Sequence, residues 1–170
     1  MSIFAMDPGI TKIGISVLSD RGELLYYKLH SPEKQSGGVN EVLIKQLFQL
    51  MGEFEELFNE YEVDRVVSEL VPSFGRMGQQ SRILGVQNLL RVLAMKNSLL
   101  YAEIAPRSMK KKFTGSDKAT KDHVKARVIE YFPELEKSEA TYDVFDSIAI
   151  GLLGLDFAKE DFHDFRSKGE

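Results

Sequence analysis

Hydrophobic and polar positions follow two different patterns along this chain. Three short segments near the N-terminus, residues 3–7, 12–18 and 23–30, are rich in β-formers and are separated by turn residues. This spacing predicts three strands in an antiparallel meander. Residues 39–61 then carry apolar side chains at intervals of three and four, which predicts an amphipathic helix.

The remainder of the chain predicts helices and strands in alternation. We expect strands at residues 64–70 and 98–106, and helices at 79–97, 122–132 and 142–155. The helix at 79–97 is apolar on more than one side and therefore needs more than one packing partner, which makes it the candidate subunit interface. A meander followed by alternating helices and strands predicts an α/β fold in which helices pack on a mixed sheet.

Composition restricts the kind of protein this can be. A chain of 170 residues suits one domain, which we place at residues 1–156, followed by an acidic, polar tail at 157–170 that we expect to be frayed. No apolar run reaches membrane-spanning length, and the N-terminus lacks the features of a signal peptide. We therefore expect a cytoplasmic protein without a membrane partner.

The absence of cysteine limits any metal site to oxygen and histidine ligands. The chain has three histidines, and they are scattered, so the sequence does not favour zinc. We expect His30 and His163 to be ordinary surface residues. Nothing in the sequence indicates a small-molecule cofactor.

Positive charge is concentrated in one segment. The net charge is −4, but residues 107–127 contain eight Lys and Arg residues against two Asp, so this segment carries an excess of six positive charges. A basic segment on an otherwise acidic body indicates a face that meets phosphate, although a solvated lysine-rich surface would show the same pattern.

Acidic residues occupy four notable positions. Asp7 ends the first predicted strand, Glu69 ends the fourth, and Asp143 and Asp146 share one face at the start of the last helix. The two helix aspartates could act as caps and complement the helix dipole, or they could bind a metal ion. If the first and fourth strands are neighbours, all four carboxylates converge.

Four converging carboxylates need compensating positive charge. Hard divalent cations with oxygen ligands supply it, and two magnesium ions roughly 4 Å apart can activate water and stabilise the leaving oxygen of a phosphodiester. Lysines from the basic segment would hold the nucleic-acid backbone beside such a site. The pattern therefore favours a nuclease.

Four sequence blocks carry a family resemblance over residues 3 to about 155. In order they are MDPGITKIGISVL, VVSEL, APRSMKKKFTGSDKATKDHV and YDVFDSIAIGLL. Together they resemble the RuvC family of Holliday-junction resolvases. The resemblance implies a ribonuclease H-like fold with a five-stranded mixed sheet and helices on both faces. It also implies a homodimer that cuts four-way DNA junctions symmetrically, with two Mg²⁺ ions per site or Mn²⁺ in their place.

Functional residues follow from the resemblance by position. Asp7, Glu69, Asp143 and Asp146 match the metal-binding carboxylates of the family, and Lys110 and Lys121 match its functionally important lysines. We expect Lys121 to stabilise charge in the transition state. The residues that we expect to contact DNA are Arg107, Lys110, Lys111, Lys112, Lys118, Phe74 and Arg76.

The loop after Glu69 departs from the family pattern. Well-known bacterial members place a DNA-stacking aromatic residue three positions after the glutamate, where this chain has Pro72. Phe74 lies two residues further, and we hypothesise that it stacks on an unpaired base. The alternative is that Phe74 only covers the edge of the core.

Two other functions stay open at this point. A ribonuclease H-like enzyme acting on an RNA/DNA hybrid or on structured RNA would use the same carboxylates. A junction-binding protein without catalytic activity would use the acidic residues only structurally. Substrate preference separates the first from a resolvase, and metal-dependent turnover separates the second.

Overall fold

The computed structural model describes residues 1–9, 11–32, 36–71 and 77–164. Its strands are β1 Ser2–Asp7, β2 Ile13–Ser19, β3 Leu24–His30, β4 Val63–Glu69, β5 Leu100–Ile104 and β6 His163–Asp164. Its helices are α1 Val39–Glu60, α2 Met77–Lys96, α3 Pro106–Thr114, α4 Lys121–Tyr131 and α5 Tyr142–Leu155. Across these residues, no helix is both long and apolar enough to cross a membrane.

The strands form one mixed sheet in the order β3-β2-β1-β4-β5-β6. The first three strands form the predicted antiparallel meander, whereas β1 pairs with β4, and β4 with β5, in parallel. The mixed sheet predicted from the sequence is therefore confirmed. So is the adjacency of the first and fourth strands, on which the convergence of the carboxylates depends.

The prediction of five strands was wrong by one, because β6 pairs antiparallel with β5. The expectation of a frayed tail was also wrong for residues 157–164. There the rings of Phe157 and Phe162 lie 5.8 Å apart, and Phe162 is buried. Two aromatic side chains in a segment that is otherwise acidic are enough to hold it against β5. Residues 165–170 lie outside the described residues.

Helices cover both faces of the sheet, as expected. Side chains of β1 alternate between the two faces, so Ile3 and Ala5 pack with the core beneath α3, α4 and α5, whereas Phe4 and Met6 pack with α1 and α2. From Ile3 to Met6, every side chain of β1 is apolar and fully buried. This explains why the strand reads as a nearly continuous hydrophobic run.

Helix α3 was not predicted as a separate element of the basic segment. Pro106 occupies its first turn, Met109 and Phe113 are buried one turn apart, and Gly115 ends the helix in the left-handed conformation with φ 84°. Proline at the start, glycine after the end and an i, i+4 apolar pair were signals available in the sequence. The many lysines nevertheless make the segment resemble a polar loop.

Candidate active site

The register between two parallel strands brings Asp7 and Glu69 to the same edge of the sheet. Met6 lies opposite Ser68, so the next residue on each strand, the last of β1 and of β4, is the acidic one. The main-chain carbonyl of Glu69 accepts hydrogen bonds from Gln87 Nε2 at 2.9 Å and from Ser68 Oγ at 3.1 Å. Gln87 is fully buried in α2, so this helix fixes the end of β4.

A glycine in β2 brings the first turn of α5 to the same place. Gly14 lies opposite Asp7 in the antiparallel register. A Cβ atom at Gly14 would lie 1.8 Å from the main-chain oxygen of Asp143, far inside van der Waals contact. Only glycine allows this approach, and the approach places Asp143 beside the strand that ends in Asp7.

The apolar stripe of α5 that carries the aspartates is buried as its sequence predicts. Asp146 is 6% exposed, and Ser147 and Ile150 on the same face are fully buried. Thr141 is the N-cap of the helix, and both aspartates contact the ammonium of Lys121. The described contacts of Asp143 and Asp146 thus join α5 to α4, and the capping position belongs to another residue.

Electrostatics show that the carboxylates act on one another. Burial, followed by the negative charges of Glu69 and Asp146, raises the pKa of Asp7 well above its usual value. Burial and the charge of Asp146 raise the pKa of Glu69 to about 7. Burial also raises the pKa of Asp146, with a contribution from Asp143. Because these effects act only over short distances, all four acidic residues lie in one partly dehydrated cluster.

Two lysines supply the nearby positive charge. Lys121, the first residue of α4, places its Nζ 3.1 Å from Asp143 Oδ1 and 3.3 Å from Asp146 Oδ2. Burial opposes ionisation of Lys121, but its hydrogen bond to Asp143 and the neighbouring carboxylates outweigh this effect and raise its pKa. Lys110 on α3 acts on the same cluster, since its charge lowers the pKa of both Glu69 and Asp146.

The donor set of the cluster suits a hard divalent cation. It consists of carboxylate oxygens that burial and mutual repulsion make costly to ionise without a cation, and Mg²⁺ and Mn²⁺ are cations that accept such ligands. Among the described residues, no three acidic or histidine side chains are arranged to hold a metal ion as they stand. Lys121 provides the positive charge between Asp143 and Asp146 instead.

The other DNA-binding residues predicted from the sequence are more scattered. Arg107, Lys111 and Lys118 are exposed on α3 and the loop that follows it. Lys112 is also exposed, and its ammonium lies 5.3 Å from the ring centre of Phe157. Pro72, Phe74 and Arg76 lie outside the described residues.

The expectation that His30 is a surface residue was wrong. His30 is 7% exposed, and its Nδ1 lies 2.7 Å from Glu53 Oε2 on α1. The pairing links the end of β3 to α1 across the sheet face. A histidine at a strand end gives no sequence signal for such a distant acidic partner.

Sequence reasoning missed two lysines next to the cluster. Lys12 follows the turn after Asp7, and Lys125 lies one helical turn after Lys121, so both positions were readable. Together with Lys121 they line a pocket at the start of α5. Only the fold brings the β1–β2 turn and α4 to the same side of Asp143.

Comparison with known proteins agrees with this geometry. The family model described as crossover junction endodeoxyribonuclease RuvC matches residues 3–153. A crossover junction endodeoxyribonuclease RuvC from Chlorobium phaeobacteroides is 28% identical over 162 residues, which cover 91% of this chain and 81% of the relative.

Solved structures support the fold. The Thermus thermophilus RuvC structure has a TM-score of 0.74 and 18% identity, and the match covers 89% of this chain and 92% of that one. T. thermophilus RuvC in complex with Holliday junction substrate has a TM-score of 0.78 and 16% identity, over 96% of this chain and 99% of that one. With the family match spanning nearly the whole fold, the chain belongs to the RuvC family of crossover junction endodeoxyribonucleases.

Proposed function

We propose that this chain is a metal-dependent endonuclease that resolves four-way DNA junctions by paired, symmetric nicks. The observation that carries the proposal is the cluster of Asp7, Glu69, Asp143 and Asp146 at one edge of the sheet, in which burial and mutual repulsion raise three of the four carboxyl pKa values. A protein that used these residues only structurally would gain nothing from such repulsion. Membership of the RuvC family directs the proposal to DNA junctions.

The carboxylates define the catalytic roles. Asp7, Glu69, Asp143 and Asp146 would hold two Mg²⁺ or Mn²⁺ ions, which when bound supply an activated water and stabilise the leaving oxygen. Burial of Asp146 and Glu69 keeps water away from one side of the cluster and strengthens every charge interaction within it.

Lys121 is the best placed side chain to stabilise negative charge on the scissile phosphate. Its ammonium already lies within 3.3 Å of two cluster carboxylates, and its raised pKa keeps it positive at neutral pH. With Asp143 and Asp146 holding metal, the Lys121 ammonium would be free to contact the substrate. Lys110, which also acts on the cluster, would contribute from α3.

The backbone of the DNA would follow the basic segment. Phosphate contacts need cations that reach solvent, and α3 with its following loop carries five of them. The residues concerned are Arg107, Lys110, Lys111, Lys112 and Lys118. Arg76 and the stacking of Phe74 on an unpaired base remain part of the proposal on the grounds of sequence.

Two nicks on opposite strands require two active sites, and α1 and α2 offer a surface for a second copy of the chain. Val92 and Met95 on α2 are each 62% exposed, and Phe48 on α1, which packs against α2, is 71% exposed. Large apolar side chains left uncovered on packed helices favour association. We propose that this surface forms the homodimer.

The substrate panel that tests the function contains an immobile four-way DNA junction, a linear duplex and an RNA/DNA hybrid, each end-labelled and incubated with Mg²⁺ or with chelator. We expect symmetric paired cuts in the junction alone, and none in chelator. Cleavage of the hybrid in preference to the junction would assign the chain to ribonuclease chemistry. Binding of the junction without cleavage in any metal would make the chain a binding protein.

A further inference from the structure

A pocket of about 410 Å³ lies beside the carboxylate cluster, where the β1–β2 turn, α4 and the start of α5 meet. Its walls include Lys12 from the turn, Lys121 and Lys125 from α4, and Thr141 and Asp143 from α5. Asp143 also belongs to the carboxylate cluster. The pocket and the proposed catalytic site are therefore neighbours that share a wall.

Positive charge dominates this pocket. Three lysines line it, and Asp143 is the one acidic residue among the residues that line it. Lys121 is compensated by Asp143 and Asp146, whereas no ion pair joins Lys12 or Lys125 to a described carboxylate. The pocket thus has two lysine charges that the described part of the protein leaves without an anionic partner.

Local contacts position the side chain of Lys125 and the main chain of Lys12. The Lys125 ammonium lies 5.3 Å from the ring centre of Phe145, a buried residue of α5. Lys12 follows a tight turn, since a Cβ atom at Gly9 would lie 1.9 Å from the main-chain oxygen of Lys12. Phe145 thus positions the Lys125 ammonium, and the turn positions the main chain of Lys12.

The start of α5 adds polar groups to the pocket wall. The first N–H groups of a helix have no intrahelical acceptor, and side chains or anions usually satisfy them. Thr141 is the N-cap, but its side chain makes no capping hydrogen bond. Its Oγ1 atom is buried without a hydrogen-bond partner among the protein groups.

We propose that this pocket is a second phosphate subsite. It binds a backbone phosphate of the cut strand that neighbours the scissile phosphate, with Lys12, Lys125 and the first turn of α5 as the binding groups. This inference rests on the proposed nuclease function, because it assumes that the scissile phosphate lies at the carboxylate cluster. Its consequence is that the subsite sets which phosphodiester reaches the cluster.

A charge-neutralisation scan tests the subsite. Junctions are prepared with one neutral methylphosphonate linkage at each of the positions on either side of the cut, and cleavage is measured under single-turnover conditions. We expect one flanking position to slow the wild-type protein by about 10- to 100-fold, the loss typical of a hydrogen bond to a charged group. The variants Lys12→Gln and Lys125→Gln should cleave the unmodified junction more slowly and should be nearly insensitive to the neutral linkage at that position.

Matched variants separate the subsite from general effects of charge. Lys12→Arg and Lys125→Arg keep the charge and should retain sensitivity to the neutral linkage. Lys159→Gln, which removes an exposed lysine next to β6, should behave as the wild type. Circular dichroism and thermal unfolding establish that each variant is folded before its kinetics are compared.

Each outcome decides the proposal. If the wild type cuts junctions but the Gln variants keep full sensitivity at every flanking position, the subsite is refuted while the nuclease function stands. If the wild type cuts no junction, the function fails, and binding of the same modified junctions is measured instead. In that case, equal effects of neutral linkages on wild type and Gln variants refute the subsite independently.

Discussion

Gly14 of β2 touches the main chain of Asp143 so closely that a Cβ atom would lie 1.8 Å from the Asp143 oxygen. The same glycine lies opposite Asp7 in the sheet. One residue without a side chain therefore sets the distance between the carboxylate of a strand end and the carboxylates of a helix start. Any larger residue must move α5 away from β2.

Replacement of this glycine is the first prediction. Gly14→Ala should reduce junction cleavage by at least about tenfold, since displacement of catalytic groups by about 1 Å can cost a hundredfold in rate. It should also lower the thermal stability. Gly52→Ala is the control, because no atom lies within 4 Å of a Cβ added at that helix position. Unchanged cleavage by Gly14→Ala would show that the contact does not position the site.

The carboxylate cluster predicts an unusual pH dependence of stability without metal. The pKa of Glu69 is raised from 4.5 to about 7, so folding favours its protonated form. The stabilisation of the folded state by protonated Glu69 is fully present below about pH 4.5 and is lost as the pH rises through about 7. Wild-type protein in chelator should therefore lose stability between about pH 5 and about pH 8, by on the order of 2 kcal/mol relative to Glu69→Gln. Parallel pH profiles of the two proteins in urea unfolding would contradict this account.

The hydrogen-bonded pair of His30 and Glu53 predicts a pH dependence of stability with the opposite sign. A hydrogen bond from His30 and another from Lys28 overcome the effect of burial and lower the pKa of Glu53 from 4.5 to about 2. The stabilisation is present above about pH 4.5 and disappears as the pH falls through about 2. Glu53→Gln should cost about 1–2 kcal/mol in urea unfolding at neutral pH, and less as the solution is acidified. A cost that does not shrink in acid would mean that Glu53 contributes by packing alone.

The exposed surface of α1 and α2 predicts which substitution would disrupt the proposed homodimer. Val92→Glu places a charge in the proposed interface and should yield monomers in sedimentation experiments, with loss of paired nicks. Leu25→Glu changes a residue of β3 that is 42% exposed and serves as the control for an added charge. A Val92→Glu protein that sediments as the wild type does would place the interface elsewhere.

The fold was predictable from the sequence wherever a periodic pattern coincided with clear end signals. Helix α5 begins at Tyr142 and ends at Leu155, as expected, because an apolar run this long has few alternatives. By contrast, β6 has two residues and is stabilised by pairing with β5 and by the nearby phenylalanines, and a strand this short has no periodicity to read. Helix α3 was missed for a different reason, because its apolar pair stands among several lysines.

The site was predictable in its acidic residues and less so in its basic ones. Asp7 and Glu69 end strands, and strand ends of a parallel pair meet at one edge whatever the details of packing. Lys12 and Lys125 reach one pocket only because β2 and α4 both pack against α5, a tertiary arrangement that no local pattern encodes. The contact of Gly14 with Asp143 is tertiary for the same reason.

Asp7→Asn tests the central claim most directly, because Asp7 is half-buried beside the other carboxylates and its substitution removes the acidic group with little change of shape. Junction binding and Mg²⁺-dependent cleavage are measured on the same preparation, with Asp20→Asn in the exposed β2–β3 turn as the control. We expect Asp7→Asn to bind the junction as the wild type does and to lose cleavage by several orders of magnitude, whereas Asp20→Asn should keep both activities. Cleavage retained by Asp7→Asn, or loss of binding together with cleavage in a folded protein, would contradict the assignment of the carboxylate cluster as the metal-dependent catalytic site.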